Sequence, residues 1–295
     1  MRRIRATARH RTSWLRQGCA AFAVLLAATL ATANSAVAQD LGTLTPKPLA
    51  ALAHPDDPTT PAKELFGRKA TPAAMPTRAI GYYTHGCLAG GTALPINGPT
   101  WQVMRQSRNR NWGHPNLIRT IERIAGKAPS IGWNGLLVGD MAQPRGGPMI
   151  TGHWSHQLGL DADIWLTPMP NRELTGKERE EMMATNVVAD DWMDVNPKVW
   201  SPTYVALYKM VAQQPGVERV LANAAIKKAL CRDAKGDRSW LHKIRPVPGH
   251  NYHFHIRIGC PSDSPGCQSQ TPPPHDEVCG KDFDWWFSKA VREPK

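Results

Sequence analysis

"GHWSHQLGLDADIWL" (152–166) places two histidines and two aspartates beside a run of alternating apolar residues. In "LDADIWL" (160–166), Asp161 and Asp163 alternate with apolar side chains, and successive side chains of a strand point to opposite faces of a sheet. The pattern predicts a half-buried strand that carries both carboxylates on its open face. His156 precedes Asp163 with six residues between them, so an imidazole can reach the same face.

A second stretch, "GHNYHFHIRIGC" (249–260), alternates in the same way. His253 and His255 share one face of the predicted strand, and Phe254 fills the core behind them. Two neutral imidazoles and one carboxylate form a three-ligand zinc site with an open position for water. That composition is typical of hydrolytic zinc, and a further imidazole nearby serves as a base or stabilises an oxyanion. Each motif alone is more often a set of hydrogen-bonded surface histidines; together they favour a metal site.

The first 38 residues have the pattern of a secretory signal peptide. Six arginines precede a short apolar run, and "AVA" (36–38) provides a cleavage site before Gln39. An uncleaved N-terminal anchor is the alternative. These arginines carry half of the formal net charge of +12. The milder charge that remains fits an acidic polymer such as a cell wall, and no basic run is interleaved with aromatics, so we expect no nucleic-acid partner. No other segment is apolar enough to predict a membrane span.

After the signal peptide we expect an extended, Pro/Ala/Thr-rich arm over 39–80 and a single domain over 81–295. Thr175 and Glu178 form a capping-box pattern at the start of one predicted helix. Short strands and helices without regular βαβ spacing predict an α+β fold, with a small central antiparallel sheet that carries the zinc site between helices and long loops. The sequence predicts helices over 117–128, 175–188, 201–214 and 224–233, and strands over 135–141, 160–166 and 252–258.

The motifs "SHQLGLDADI" and "HNYHFHIRIGCP" resemble the penicillin-insensitive murein endopeptidases, which belong to the wider group of lysostaphin-like, D-Ala-D-Ala and hedgehog-type zinc folds. The resemblance begins at "GYYTHGCLAGG" (81–91) and continues through "QVMRQSRNRNWGHPNLI" (102–118) and "GDMAQPRGG" to "RPVPGHNYHFHIRIGCP". The pattern GHxSHQxGLDxDI is its most specific part. It implies the fold, the metal and the reaction class of that family.

The family pattern H-x6-D…H-x-H implies roles for individual residues. His156, Asp163 and His255 resemble the three zinc ligands. His253 resembles the catalytic base or oxyanion-stabilising histidine, and His250 a second active-site histidine. Asp161 is not a ligand in the pattern, and we interpret it as a support for the ligands.

A second metal site is left open by the resemblance. His153 matches a histidine that binds a second metal in the family together with a downstream D-x-x-H element. The aligned stretch here is "DWMD", in which Asp194 replaces the histidine. Asp191 and Asp194 would complete a second site with His153; a solvated acidic turn is the equal alternative.

Five cysteines follow residue 38, and export makes disulfides plausible. The resemblance implies bridges between Cys260 and Cys267 and between Cys231 and Cys279. Cys87 resembles a cysteine whose family partner lies in a C-terminal tail, and we expect it to be the unpaired thiol.

The resulting prediction is a periplasmic zinc endopeptidase that cleaves D-alanyl–meso-diaminopimelyl cross-links between peptidoglycan stem peptides. No serine nucleophile is implied, so penicillin should not inhibit it. One Zn²⁺ is expected, and a homodimer is left open. The alternatives are a D-Ala-D-Ala dipeptidase or carboxypeptidase of the same fold and a non-catalytic cell-wall-binding relative; His250 and His253 argue against the latter. Arg105 or Arg145 would hold substrate carboxylates.

Overall fold

The two histidine stretches form part of the largest sheet of the protein. The computed structural model describes residues 41–288 and 291, and the predicted signal peptide (1–38) lies outside this range. The strands of the described residues are β1 (Arg78–Tyr82), β2 (His85–Ala89), β3 (Thr92–Ala93), β4 (Asn97–Gly98), β5 (Trp101–Val103), β6 (Trp112–Gly113), β7 (Leu136–Val138), β8 (Asp161–Trp165), β9 (Val217–Ala222), β10 (Ile244–Pro246) and β11 (His253–Ile258). The α-helices in the same range are α1 (Ala62–Phe66), α2 (Pro115–Lys127), α3 (Gly176–Glu181), α4 (Pro202–Ala212) and α5 (Ala224–Asp233).

The predicted α+β class is confirmed, and the main sheet is larger than the sequence suggested. Within the described part of the chain it has seven strands in the order β10-β9-β11-β8-β7-β5-β4. β11 is antiparallel to both β8 and β9, whereas the β10–β9 and β5–β7 pairs are parallel. The sheet is therefore mixed. Strands of two or three residues, such as β4 and β10, are too short to leave a periodic pattern in the sequence.

Three of the four predicted helices are present close to their predicted positions. α2 begins at Pro115, where the His114 side chain accepts a hydrogen bond from the backbone N–H of Asn116 at 3.2 Å. α4 likewise begins with a proline, Pro202, and α5 follows Asn223, whose side chain caps it. Proline at the first position and a capping side chain both favour a helix start, because the first N–H groups have no partner within the helix.

The fourth predicted helix is shorter than expected. Thr175 and Glu178 form the predicted capping box, but α3 ends at Glu181 rather than near 188. Beyond it the chain runs extended, because Thr185 N–H donates to Thr167 Oγ1 (2.7 Å) and Val187 N–H to Asn251 O (2.9 Å). β-Branched residues favour that conformation, and these tertiary contacts outweigh the helical pattern.

The strand that carries the aspartates is buried on both faces. All five residues of β8 are buried, so the expectation of a half-buried strand with an open face is wrong. Ala162 and Ile164 pack into the core on one side. On the other side Asp161 and Asp163 face imidazoles rather than water. The alternation was correctly predicted, but it separates an apolar face from a polar, enclosed one.

Residues 41–77 contain one short helix, α1, and are otherwise without regular secondary structure in the described range. Gly42 N–H donates to Glu180 O at 2.9 Å, so the beginning of this segment contacts the domain. A search of the described residues identifies no helix that is long and apolar enough to cross a membrane.

Two disulfides link the C-terminal segment to the domain. The structure pairs Cys231 with Cys279 and Cys260 with Cys267, with Cα–Cα distances of 5.7 and 5.8 Å. These are the pairs that the family resemblance implied. Cys87 is a free, half-buried thiol on β2, and burial raises its pKa.

Candidate metal centre

The register between β8 and β11 brings the two sequence motifs together. His255 lies opposite Asp163, and Arg257 lies opposite Asp161, in adjacent antiparallel strands. Directly opposed residues on such strands have Cα atoms about 4.5–5.5 Å apart. The H-x-H and H-x6-D elements are therefore neighbours in space although they are far apart in the sequence.

Two imidazole nitrogens approach the same oxygen of Asp163. His156 Nε2 lies 3.4 Å and His255 Nδ1 lies 3.2 Å from Asp163 Oδ1. A tetrahedral zinc ion with bonds of about 2.0–2.1 Å holds its nitrogen and oxygen ligands about 3.3 Å apart. Both nitrogen–oxygen distances are therefore close to the spacing of ligands around a zinc ion.

Several of the same atoms have no hydrogen-bond partner in the described part of the protein. They are Asp163 Oδ1 and both ring nitrogens of His156, all buried. Leaving a buried polar atom without a partner costs about 1–3 kcal/mol. A metal ion held by these residues would remove that penalty, so the chemistry of the donor set and its two nitrogen–oxygen distances fit a metal such as zinc.

The local backbone explains how His156 reaches this position. His156 itself has a left-handed φ of 67°, and its N–H donates to Asp161 Oδ2 at 3.2 Å. Gly159, with φ 68°, completes the turn; a Cβ there would lie 2.6 Å from a methyl group of Leu88. The left-handed conformation and this close approach both require glycine. The turn thus folds the His156 side chain back over β8.

Asp161 and Arg257 hold the other imidazole ligand. Asp161 Oδ1 lies 3.0 Å from His255 Nε2, which leaves His255 Nδ1 facing Asp163. Arg257 Nε donates to the same Asp161 oxygen at 2.6 Å, and its guanidinium stacks 3.8 Å over the Tyr83 ring. Burial alone would raise the pKa of Asp161, but Arg257 and His255 outweigh it and lower that pKa. Outer partners of this kind set the orientation of a metal-binding histidine.

The protonation states of His156 and Asp163 suit metal binding. Burial lowers the pKa of His156 to about 4, so its ring is neutral at pH 7. Burial would raise the pKa of Asp163, but His156, His253 and His153 hold it well below its usual value. Burial also opposes the charged form of His255, yet Asp161 and Asp163 raise its pKa. A neutral imidazole and an ionised carboxylate are the forms that bind metals, so a metal ion at His255 would have to displace the proton that the raised pKa favours.

His153 lies on the other side of Asp163. Its Nδ1 is 3.6 Å from Asp163 Oδ2, and its Nε2 is 3.0 Å from Asp140 Oδ2. The ligand atoms of His153, His156 and Asp163 all lie within 4.8 Å of one another. His153 is thus an alternative to His255 as a third ligand, on the opposite oxygen of the shared carboxylate.

The structure does not bring Asp191 and Asp194 to His153. Among the described residues, the group of His153, His156 and Asp163 is the sole cluster of three or more candidate ligands. The Asp194 carboxylate instead pairs with Arg232 at 2.9 Å and Lys228 at 3.4 Å. Asp191 Oδ1 accepts a hydrogen bond from the backbone of Met193. The geometry therefore favours a structural acidic turn over the second metal site.

His250 and His253 stand beside the ligand set. His253 Nε2 lies 3.7 Å from Asp163 Oδ1, and the His250 and His253 ring centroids are 4.7 Å apart. Burial lowers both pKa values, that of His250 to about 3. His250 Nδ1 is 2.9 Å from Pro248 O. A carbonyl oxygen can only accept, so Nδ1 carries the proton and Nε2 keeps its lone pair.

Both arginines named from the sequence donate to backbone carbonyls. Arg105 is buried and donates to the carbonyls of Arg179 and Met182, both at 2.9 Å. Arg145 Nε donates to Thr71 O at 3.1 Å, in the N-terminal arm. The buried position and backbone partners of Arg105 argue against a role in holding a substrate carboxylate. For Arg145, of which Nε is engaged, that role stays a prediction.

Two arginines that sequence reasoning missed lie next to the site. Arg108 Nη1 and Arg110 Nη1 donate to Asp140 Oδ2, at 3.0 and 2.8 Å, on the side of Asp140 that also meets His153. No local pattern identifies them, because Asp140 lies about 30 residues further along the chain and the contact depends on tertiary folding.

Comparison with known proteins places this geometry in a family. A sequence model of the family described as penicillin-insensitive murein endopeptidase matches residues 79–295. A protein of that name from Haemophilus influenzae is 45% identical over 223 residues, which cover 73% of this chain and 77% of the relative. One from Yersinia enterocolitica is 42% identical over 216 residues, covering 73% and 78%. One from Klebsiella pneumoniae is 41% identical over 210 residues, covering 71% and 76%.

The range matched by the family model includes the histidine motifs, Asp140 with Arg108 and Arg110, and both disulfides. These matches confirm the resemblance suggested by the motifs. On this evidence the chain belongs to the penicillin-insensitive murein endopeptidase family.

Proposed function

We propose that this protein is a zinc metallopeptidase that hydrolyses the D-alanyl–meso-diaminopimelyl cross-link of peptidoglycan. The observation that carries the proposal is the approach of His156 Nε2 and His255 Nδ1 to one oxygen of Asp163 at zinc-ligand spacing. The names of the relatives supply the substrate class: each is called a murein endopeptidase. A bond between two D-centres is one that ordinary proteases do not accept.

His156, Asp163 and His255 would hold the metal. We choose His255 over His153 because it meets the same Asp163 oxygen as His156, and because Asp161 lies 3.0 Å from the far nitrogen of its ring. His153 meets the other oxygen, and its Nε2 pairs with Asp140. When bound, Zn²⁺ would supply Lewis acidity toward the carbonyl and a water of pKa near 7.

The remaining histidines would handle protons and the developing negative charge. His253 is neutral, sits beside the ligand set, and has a buried Nδ1 with no hydrogen-bond partner in the described protein. It is placed to accept a proton or to hydrogen-bond the carbonyl oxygen as charge builds on it. His250, with its lone pair on Nε2, lies against the His253 ring and would orient it or share the proton.

Location and inhibitor response follow from the same proposal. The signal-peptide pattern over 1–38 supports export to the periplasm, where peptidoglycan cross-links are found. The proposed chemistry includes no serine acyl-enzyme, so penicillin has no nucleophile to acylate. The cross-linked stem peptides are the proposed partner.

The test is a cleavage assay on purified residues 39–295 with a dimeric muropeptide, with and without chelator, followed by mass spectrometry. The expected products are two monomeric muropeptides with intact sugars, formed only without chelator. Monomeric pentapeptide muropeptides serve as the matched control substrate. Release of free D-alanine from those monomers while the dimers stay intact would replace the endopeptidase with a carboxypeptidase of the same fold.

A further inference from the structure

A surface groove lies outside the metal centre. It has a volume of about 580 Å³ and runs between α2, residues 215–218 at the start of β9 and residues 258–261 at the end of β11. Ligand sites usually have volumes of about 300–1,000 Å³. The candidate zinc ligands are not among the described residues that line the groove, and Ile258 lies three residues beyond His255, about 10 Å along the strand. The groove is therefore space that the proposed reaction does not use.

Positive charge dominates this groove, which we call the basic groove. The basic residues that line it are Arg119, Arg123, His242, Lys243 and His275. Glu218 is the one carboxylate among its described lining residues. Burial lowers the pKa of Lys243, and the charge of Glu218 opposes that effect. Glu218 therefore offsets the charge of Lys243 and leaves that of the two arginines.

Arg119 and Arg123 have no carboxylate within 4.0 Å in the part of the chain that the structure describes. Arg119 Nη2 donates to Asn116 Oδ1 within the same helix. Arg123 Nη2 donates to Thr120 Oγ1 at 2.9 Å and to Pro215 O at 3.2 Å. Both side chains are exposed, and a guanidinium has five N–H donors, so each keeps donors that can bind a ligand. Like charges four residues apart on a helix also repel each other, and an anion between them would remove that repulsion.

The proposed substrate has anions of the right chemistry. Stem peptides carry free carboxylates, and guanidinium groups bind carboxylates through charge-assisted, often paired, hydrogen bonds. Because peptidoglycan is a polymer, one molecule presents a cross-link to the metal centre and further stem peptides to other surfaces of the protein. We propose that the basic groove binds a carboxylate of a neighbouring stem peptide on the same polymer. The inference rests on the proposed function, and this second contact would raise the local concentration of cross-links at the metal centre.

The test separates binding to the polymer from cleavage of a soluble fragment. Sedimentation of zinc-loaded protein with intact peptidoglycan sacculi on ice measures binding, and initial rates on dimeric muropeptides measure cleavage. Wild type should bind native sacculi more tightly than sacculi whose carboxylates have been amidated. Arg119→Gln and Arg123→Gln should each weaken binding to native sacculi by about two- to fivefold, the usual effect of one exposed charge pair. Binding to amidated sacculi and the rate on dimers should stay unchanged in both variants.

Lys177→Gln is the matched control, because Lys177 is an exposed cation of α3 that does not line the groove. It should bind native sacculi as wild type does. Melting curves verify folding, and Arg119→Gln decides the matter if Arg123→Gln, which loses its bond to Pro215 O, unfolds.

Unchanged binding to native sacculi in both arginine variants, or an equal loss in Lys177→Gln, would overturn the proposal. Equal losses on native and amidated sacculi would also overturn it, because the ligand would not be a carboxylate. Loss of binding to phosphatidylglycerol vesicles, with sacculus binding unchanged, would assign the groove to a membrane surface instead. If the arginine variants lose sacculus binding as expected but wild type leaves dimers uncut, the groove stands and the proposed endopeptidase function is rejected.

Discussion

Three imidazoles converge on one oxygen of Asp163. The nitrogens of His255, His156 and His253 lie 3.2, 3.4 and 3.7 Å from Oδ1, yet that oxygen has no hydrogen-bond partner among the described residues. Side chains arranged for hydrogen bonding would point N–H groups at the oxygen itself. An ion held by Asp163, His156 and His255 would supply the partner that this oxygen lacks.

A first prediction at this scale distinguishes the two candidate third ligands. His255→Ala should lose stoichiometric zinc, because we propose His255 Nδ1 as a ligand, whereas His153→Ala should retain it. Elemental analysis of the dialysed proteins measures the metal content. Zinc bound one-to-one in the His255 variant and lost in the His153 variant would move the third ligand to the other side of Asp163.

His253 should separate metal binding from catalysis. His253→Ala should keep its zinc but lose activity on dimeric muropeptides by about a hundredfold or more, the usual effect of removing a positioned acid or base. Metal content and initial rates on the same preparation give both quantities. If the variant cleaves at the wild-type rate, His253 has no catalytic role and contributes only to packing.

Among the secondary-structure elements, α5 contains a buried lysine. Lys227 Nζ donates to Leu241 O at 2.7 Å and Glu277 O at 2.5 Å, and burial lowers its pKa to about 7. Its unfolded pKa is near 10.5. Between these values the unfolded chain binds more protons than the folded one, so stability should rise with pH from 7 to 10.

Lys227→Met should abolish that part of the pH dependence. Urea unfolding of wild type and variant at pH 7 and pH 9.5 measures the change, and the difference between the proteins isolates Lys227 from the other groups that titrate. Wild type should gain stability between the two pH values relative to the variant. The same pH dependence in both proteins would show that the amine is solvated in the folded state.

The two disulfides should contribute unequally to the free energy of unfolding of the protein. Cys231–Cys279 closes a loop with a sequence separation of 48, and Cys260–Cys267 one of 7. Loop-closure entropy predicts about 4 kcal/mol for the first and about 2.4 kcal/mol for the second. Non-reducing peptide mapping first establishes the pairs. Urea unfolding of variants in which both cysteines of one pair are replaced by serine then measures which disulfide contributes more to stability. A larger loss from removing the short loop would contradict the entropic account.

Sequence patterns predicted the elements that depend on local chemistry. α2, α4 and α5 have apolar spacing and start signals within themselves, and β8 and β11 alternate strictly, so the central strands and their facing histidines could be predicted. The position at which α3 ends and the burial of Asp161 could not be predicted from the sequence, because both follow from contacts with distant segments. The Asp140 cluster was missed for the same reason.

At the scale of the whole molecule, the proposed metal joins segments that only the fold brings together. His156 and Asp163 lie around β8, and His255 lies on β11, near the middle of the seven-stranded sheet of the described residues. An unfolded chain does not bring these groups together, so zinc should bind the folded state preferentially and shift the unfolding equilibrium. Metal binding should therefore be measurable as an increase in the free energy of unfolding of the whole protein.

Free zinc at a hundred times its dissociation constant should stabilise the folded protein by about 2.7 kcal/mol. Urea unfolding of the chelator-treated protein, with and without added zinc, measures this gain at pH 7, where His156 is neutral. Asp163→Asn is the matched control: it keeps the size of the side chain but removes the charge that the ion requires, so added zinc should not stabilise it. An equal gain in the variant would mean that the ion binds elsewhere, and the convergence of imidazoles on Asp163 would then need another explanation.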